Sequence, residues 1–187
     1  MRIVQFYKNE TLLISKAAKG HKEAQYKLYK SYSAKMLSVC RYSIKDIHHA
    51  EEVMLSGFLK VFMNLKKFKS EGSFEGWIRR IMINESISYL RKEKTQLFTE
   101  EIIGGKEISW NNIETELEVE EIQSLIDSLP SGYRMVFVLY AVEGYKHQEI
   151  AKMLDISEST SKSQLFKARK MLQRKMINQN IMNNGTV

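Results

Sequence analysis

Apolar residues recur at helical spacing along most of this chain. Between Lys22 and Ile44, the residues Ala24, Leu28, Tyr32, Met36, Cys40 and Ile44 fall on every fourth position, and Tyr29 and Leu37 widen the same stripe. Such a stripe runs down one side of a helix, so the stretch predicts a single long amphipathic helix. Ala50, Val53, Gly57, Val61, Leu65 and Phe68 draw a second stripe. The segment Lys69 to Gly72 breaks the pattern, after which Ser73 stands as an N-cap for a third helix reaching Lys92. Amphipathic helices in succession hide their apolar sides against one another, which predicts an antiparallel helical bundle. Strand signals are poor, and with Pro130 the one proline and the glycines mostly single, long helices run uninterrupted.

A second helical block follows. Ile113, Leu117, Ile122, Leu125, Ile126 and Leu129 mark an amphipathic helix that Pro130 stops and Ser131 restarts. From His147 the chain reads HQEIAKMLDISESTSKSQLFKARKML: a short helix, a tight turn at Asp155 to Ser157, and a longer helix, which is helix-turn-helix logic. On the longer helix Ser161, Leu165, Ala168 and Leu172 are spaced four, three and four apart and pack inward. The expected fold is therefore all-α, with two small helical domains at residues 8–94 and 120–177, a linker at 95–119 and a disordered tail at 178–187.

Charge sharpens this picture. The 187 residues carry 29 basic and 22 acidic side chains, a net of +7. From Thr99 to Glu121 there are eight glutamates and one lysine, Lys106. The linker is thus acidic, and its net of −7 leaves +14 on the two flanking blocks. Segregated basicity of this kind favours a polyanionic partner. No stretch approaches the roughly 18 consecutive apolar residues of a spanning helix, and the opening MRIVQFYKNE lacks the apolar middle of a secretory signal, so a cytoplasmic protein without membrane insertion is expected. The lone Cys40 reads as a buried thiol, and His21, His48, His49 and His147 lack the spacing of a metal site; no metal, cofactor or catalytic residue is expected.

Two surfaces carry candidate chemistry. On the helix after Asp155, Thr160, Ser163, Gln164 and Lys167 present donors to base edges, while Lys162, Arg169 and Lys170 flank them for phosphates. In FKSEGSFEGWIRRIMINESISYLRKEK, from Phe68 to Lys94, aromatics are interleaved with cations, as single strands require. Trp77, Arg80, Asn84 and Arg91 share one narrow helix side, with Lys69 and Arg79 adding charge. The Gly72 loop with Phe68 and Phe74 would shape a pocket for an extruded base. The plainer reading keeps Trp77 in the core and makes Phe68 and Phe74 hydrophobic staples; both readings stand at this point. No nucleophile with its base and orienting partner accompanies either surface, so an enzyme is not expected.

In order and spacing, these residues resemble the extracytoplasmic-function group of bacterial sigma factors within the sigma-70 family, over about residues 8–176. In the first half the resemblance rests on AEEVMLSGFLKVF from Ala50, GSFEGWIRRIMIN from Gly72 and the trailing YLRKEK. In the second half it rests on LPSGYRMVFVLYAVEGYKHQEIAKMLDIS from Leu129 and the KARKML run. The resemblance implies a four-helix region 2 that docks on the clamp helices of core RNA polymerase, opens the minus-10 element and captures an unpaired base. It further implies a region 4 that reads the minus-35 element of promoter DNA, with the polymerase flap a further contact and an anti-sigma factor a partner class. By analogy Asp46, Glu51, Glu52, Leu55, Phe58 and Leu59 lie in the polymerase-docking region. Leu55 and Ser56 replace the usual Gln-Glu pair of that helix, Asp155 a common turn glycine, Ser161 an apolar seam residue and Gln164 an arginine. These departures imply a weakened core and minus-35 grip, which leaves room for an additional DNA-bound recruiter. The alternative is a conventional helix-turn-helix regulator, which would dimerise on a palindrome without polymerase.

Overall fold

A computed structural model describes residues 2–69, 71–93 and 119–184, and every regular element among them is helical. The chain divides into two compact units, Met1–Glu93 and Lys94–Val187. The first contains α1 (Arg2–Ala18), α2 (Lys22–Ser43), α3 (Ile47–Asn64) and α4 (Phe74–Glu93), with a short 3-10 turn at Leu65–Lys67. The two stripes and the third expected helix are α2, α3 with the 3-10 turn that follows it, and α4. Helix α1 is an addition the pattern did not predict.

The inward sides of these helices supply Leu28, Met36, Cys40, Phe58, Val61, Ile78 and Met82, each at most 2% exposed. Burying each larger apolar side chain contributes roughly 1.5–3 kcal/mol relative to leaving it in water. The exposed ion pair Lys35–Glu75, at 2.8 Å between α2 and α4, belongs to a class worth about 0–1 kcal/mol. Packing, not charge, holds the bundle. Helices α3 and α4 approach so closely at Gly57 that a Cβ there would collide with the sulfur of Met82. Two caps fix where helices start. Asp46 accepts from the backbone N–H of His48 and His49 to begin α3, and the Ser73 hydroxyl accepts from Gly76 N–H at 3.0 Å to begin α4.

The second unit contains α5 (Val119–Asp127), α6 (Ser131–Phe137) continuing into a π-turn at Val138–Val142, α7 (His147–Leu154) and α8 (Glu158–Asn184). Pro130 separates α5 from α6, since its ring permits a helix start but not a helix interior. Leu129, Met135, Leu139, Ile150, Leu154, Leu165 and Ala168 form the core. Between α7 and α8 Asp155 takes a left-handed conformation, φ 59° and ψ 48°. Asp tolerates that region better than most residues with a Cβ, which is how the turn dispenses with glycine.

Two expectations about segments change or go untested. Helix α8 runs to Asn184, so most of the stretch read as a disordered tail is helical: nothing between Lys175 and Asn184 breaks a helix, and the first glycine is Gly185. The acidic linker lies outside the described residues except at Val119, where α5 begins.

Candidate nucleic-acid interface

Helix α4 displays the first candidate surface. Arg80, Asn84 and Arg91 are exposed on it, Arg79 and Trp77 are half-buried, and Lys69 is exposed on the loop before it. Phe68, Phe74 and Trp77 form one aromatic cluster, with ring centroids 5.1 Å apart for Phe68–Phe74, 5.5 Å for Phe68–Trp77 and 5.8 Å for the stacked Phe74–Trp77 pair. Phe74 is 3% exposed and Phe68 half-buried, so Phe74 underpins Trp77 from the core instead of lining an opening. Gly72, with φ 104°, makes the loop turn that only glycine adopts freely.

An open cavity lies instead on the side of α4 facing α3. It encloses about 290 Å³ and is lined by Lys60, Asn64, Lys67, Trp77, Ile81, Asn84 and Glu85. Trp77 offers an aromatic wall and Ile81 an apolar one, while the amides and cations bring hydrogen-bonding groups. Lys60 and Glu85 form an ion pair at 2.5 Å, and Glu85 is mostly covered. Asn64 donates its amide to the Lys60 carbonyl at 2.8 Å, which leaves its oxygen as an acceptor. Sequence reasoning found Trp77 and Asn84 but missed Lys60, Asn64, Lys67, Ile81 and Glu85, because the cavity draws on two helices whose pairing register no single stripe reveals.

The second surface is α8. The Ser157 hydroxyl accepts from Thr160 N–H at 3.0 Å and so caps the first turn of the helix. Lys162 is exposed and paired with Glu158 at 2.7 Å, while Thr160, Ser163, Gln164, Lys167, Arg169 and Lys170 are half-exposed. Two cations rest on aromatic rings: Lys167 Nζ lies 5.9 Å from the Tyr133 ring centre and Arg169 Cζ 5.4 Å from that of Tyr140. Gln164 departs from the sequence reading. Its amide oxygen is covered and meets no hydrogen-bond partner, so in this conformation it does not offer the paired donor and acceptor that a bidentate adenine contact needs. Ser161 also departs: although fully buried in the seam, its hydroxyl meets His147 Nδ1 at 2.9 Å, so the seam carries a satisfied polar contact in place of a defect.

On α3 the residues assigned to docking separate into layers. Glu51, Glu52, Leu55 and Leu59 are exposed. Leu55 at 49%, Leu59 at 65% and Met63 at 82% form an exposed apolar row at four-residue spacing, and Met63 is its unpredicted member. Phe58 is buried against Tyr29 and Phe62, which makes it the packing beneath this row instead of part of it. Asp46 is exposed but engaged as the α3 cap, and the hydrogen bonds from His49 and then His48 hold its carboxyl below the usual range against the opposing effect of burial.

Cys40 is buried with its thiol pushed up to about 11, chiefly by that burial, which makes it an inert core residue. Among the described residues no group of three or more His, Cys, Asp or Glu lies where it could hold a metal ion, and no helix is long and apolar enough to cross a membrane.

Comparison with known proteins matches each unit separately. The family model described as Sigma-70 region 2 matches residues 28–96, and that described as Sigma-70, region 4 matches residues 119–172. The ECF RNA polymerase sigma factor SigW of Bacillus subtilis is 25% identical over 176 residues, covering 87% of this chain and 94% of that protein. The ECF RNA polymerase sigma-E factor of Escherichia coli is 28% identical over 183 residues, covering 89% of this chain and 94% of that protein. The sigma factor RpoE of Bartonella quintana, solved with the anti-sigma factor NepR, has a similar fold, with a TM-score of 0.52 and 16% identity over 80% of this chain and 94% of that one. With a region 2 bundle in its first unit, a region 4 helix-turn-helix in its second and relatives of one kind matched over nearly their whole length, this chain belongs to the extracytoplasmic-function group of the sigma-70 family.

Proposed function

We propose that this sigma factor initiates transcription by gripping one promoter at two places, with the α4 surface on the opened minus-10 strand and α8 on the minus-35 duplex. The observation that carries the reading is the cavity between α3 and α4. An extruded base stacked on Trp77 would gain roughly 1–3 kcal/mol, against a few kcal/mol spent on unstacking it. The amide of Asn84 and the free oxygen of Asn64 then meet its edge, while Lys67, Lys69, Arg79, Arg80 and Arg91 surround the strand's phosphates. The cavity therefore replaces the Phe68–Phe74 loop as the base site, and those two rings support it.

Helix α8 grips the minus-35 duplex through Lys162, Lys167, Arg169 and Lys170, with Thr160 and Ser163 nearest the base edges. Gln164 joins them only when its side chain turns outward. The row Leu55, Leu59 and Met63, edged by Glu51 and Glu52, is the docking surface for the clamp helices of core polymerase, and the flap is a second contact. An anti-sigma factor, of the kind NepR is for the Bartonella protein, would act by covering these surfaces. The chain works in the cytoplasm as a binding subunit and leaves the chemistry to the polymerase.

Reconstituted transcription tests the reading. Core polymerase with this chain should initiate at a distinct set of promoters from a genomic fragment pool. Trp77→Ala should lower open-complex formation about tenfold or more while duplex binding by the chain changes little. Equal loss in both assays would return Trp77 to the core and remove the base site.

A further inference from the structure

Inside the helix-turn-helix seam, where apolar contact would suffice, a histidine meets a serine. Ser161 is 0% exposed on α8, and its hydroxyl lies 2.9 Å from Nδ1 of His147, the first residue of α7. The imidazole stacks on Tyr140 of the π-turn, with centroids 4.6 Å apart and planes at 24°. The same Tyr140 ring carries the guanidinium of Arg169 at 5.4 Å. One hydrogen bond and two ring contacts thus tie three elements to a cation of the duplex-facing helix.

We propose that His147 and Ser161 are a positioning couple, whose hydrogen bond sets the tilt of α8 against α7 and, through Tyr140, the reach of Arg169 toward duplex phosphate. The proposal rests on the reading that α8 grips duplex DNA. A neutral imidazole protonated at Nε2 accepts the Ser161 O–H through Nδ1. An imidazolium donates from both nitrogens, so the buried hydroxyl must turn to a new acceptor and the contact that fixed the tilt is remade. The surroundings favour the neutral ring. Burial first, then Lys162 and Arg169 of α8, hold His147 below the usual histidine value, with Glu158 pulling the other way. On α7 itself, Glu149 reaches back to the Lys146 backbone N–H at 2.8 Å. Acid therefore loosens the seam and draws Arg169 off the phosphate, whereas a cation merely added beside DNA would tighten binding.

Salt titrations of the full-length chain on a fluorescent duplex, at about pH 7.5 and at an acid pH where NMR shows the His147 ring protonated, distinguish these. In the unsubstituted protein the slope of log affinity against log salt should fall by about one on acidification, the equivalent of one phosphate released. His147→Phe/Ser161→Val, which rebuilds the seam from apolar groups and keeps the ring stack, should give one slope at both pH values. Ser161→Val alone should also lose the response, and it serves if the double variant does not fold by circular dichroism. A slope that is unchanged or steeper in acid overturns the proposal, as does a wild-type response in Ser161→Val. Absence of duplex binding at either pH overturns the reading of α8 itself, and the couple with it.

Discussion

The Asp46 carboxylate accepts backbone hydrogen bonds from His48 at 2.9 Å and His49 at 3.0 Å, and so begins the helix that carries the exposed row of Leu55, Leu59 and Met63. Because these bonds favour the ionised form, the folded carboxyl takes up a proton less readily than the unfolded one. Its stabilisation is therefore complete above the ordinary value of 3.8 and is lost as pH falls through the lower folded value. Asp46→Ala should lower the unfolding midpoint at neutral pH, Asp46→Asn should recover only the part of the cap that needs no charge, and the gap between wild type and Asp46→Asn should close in acid. A gap between wild type and Asp46→Asn that does not narrow as pH falls well below 3.8 would show that the carboxylate charge is not what the cap uses. The family analogy placed Asp46 at the polymerase, whereas the side chain is occupied within its own helix. Ser161 is a related case: a polar residue at a seam position reads as a flaw until the partner fourteen positions earlier is seen beside it.

At the scale of elements, α8 combines what periodicity shows with what it hides. The apolar seam is buried at Leu165 and Ala168 as the spacing predicts, Leu172 at its far end is only half-buried, and the cations fall on the other sides. Which cations are held in place was not legible, because Tyr133 and Tyr140 belong to α6 and the π-turn. The π-turn has no signature in the sequence: Glu143 N–H bonds Val138 O at 3.0 Å and Tyr145 N–H bonds Leu139 O at 2.9 Å, a wider winding than the residue types require. Replacing Lys167 and Lys170 with alanine should lower the salt slope of duplex binding by about one for each phosphate that is no longer neutralised. An unchanged slope would remove those two residues from the phosphate-gripping set. Helix α1 escaped prediction for a comparable reason, since Leu12, Leu13 and Ile14 cluster where a stripe would space them apart.

At the scale of the molecule, two basic blocks flank an acidic segment, and the chain divides into two compact units. The exposed row of Leu55, Leu59 and Met63 contributes nothing to the core of its own unit, as a surface kept for a protein partner would not. Leu55→Asp/Leu59→Asp should weaken association with core polymerase at least tenfold, through reduced apolar burial and buried charge, and leave the salt slope of duplex binding unchanged. Undiminished association would move the docking surface elsewhere. The sequence alone determined the all-helical class, the helix start at Ser73, the break at Pro130, the helix-turn-helix seam and the segregation of charge, because each depends on near neighbours in the chain or on counting. Tertiary structure alone decided that Phe58 and Phe74 are support, that a cavity opens between α3 and α4, and that His147 answers Ser161. Those outcomes depend on how one helix is rotated and shifted against the next, and that register is fixed by the packing of many side chains together, which no local pattern encodes.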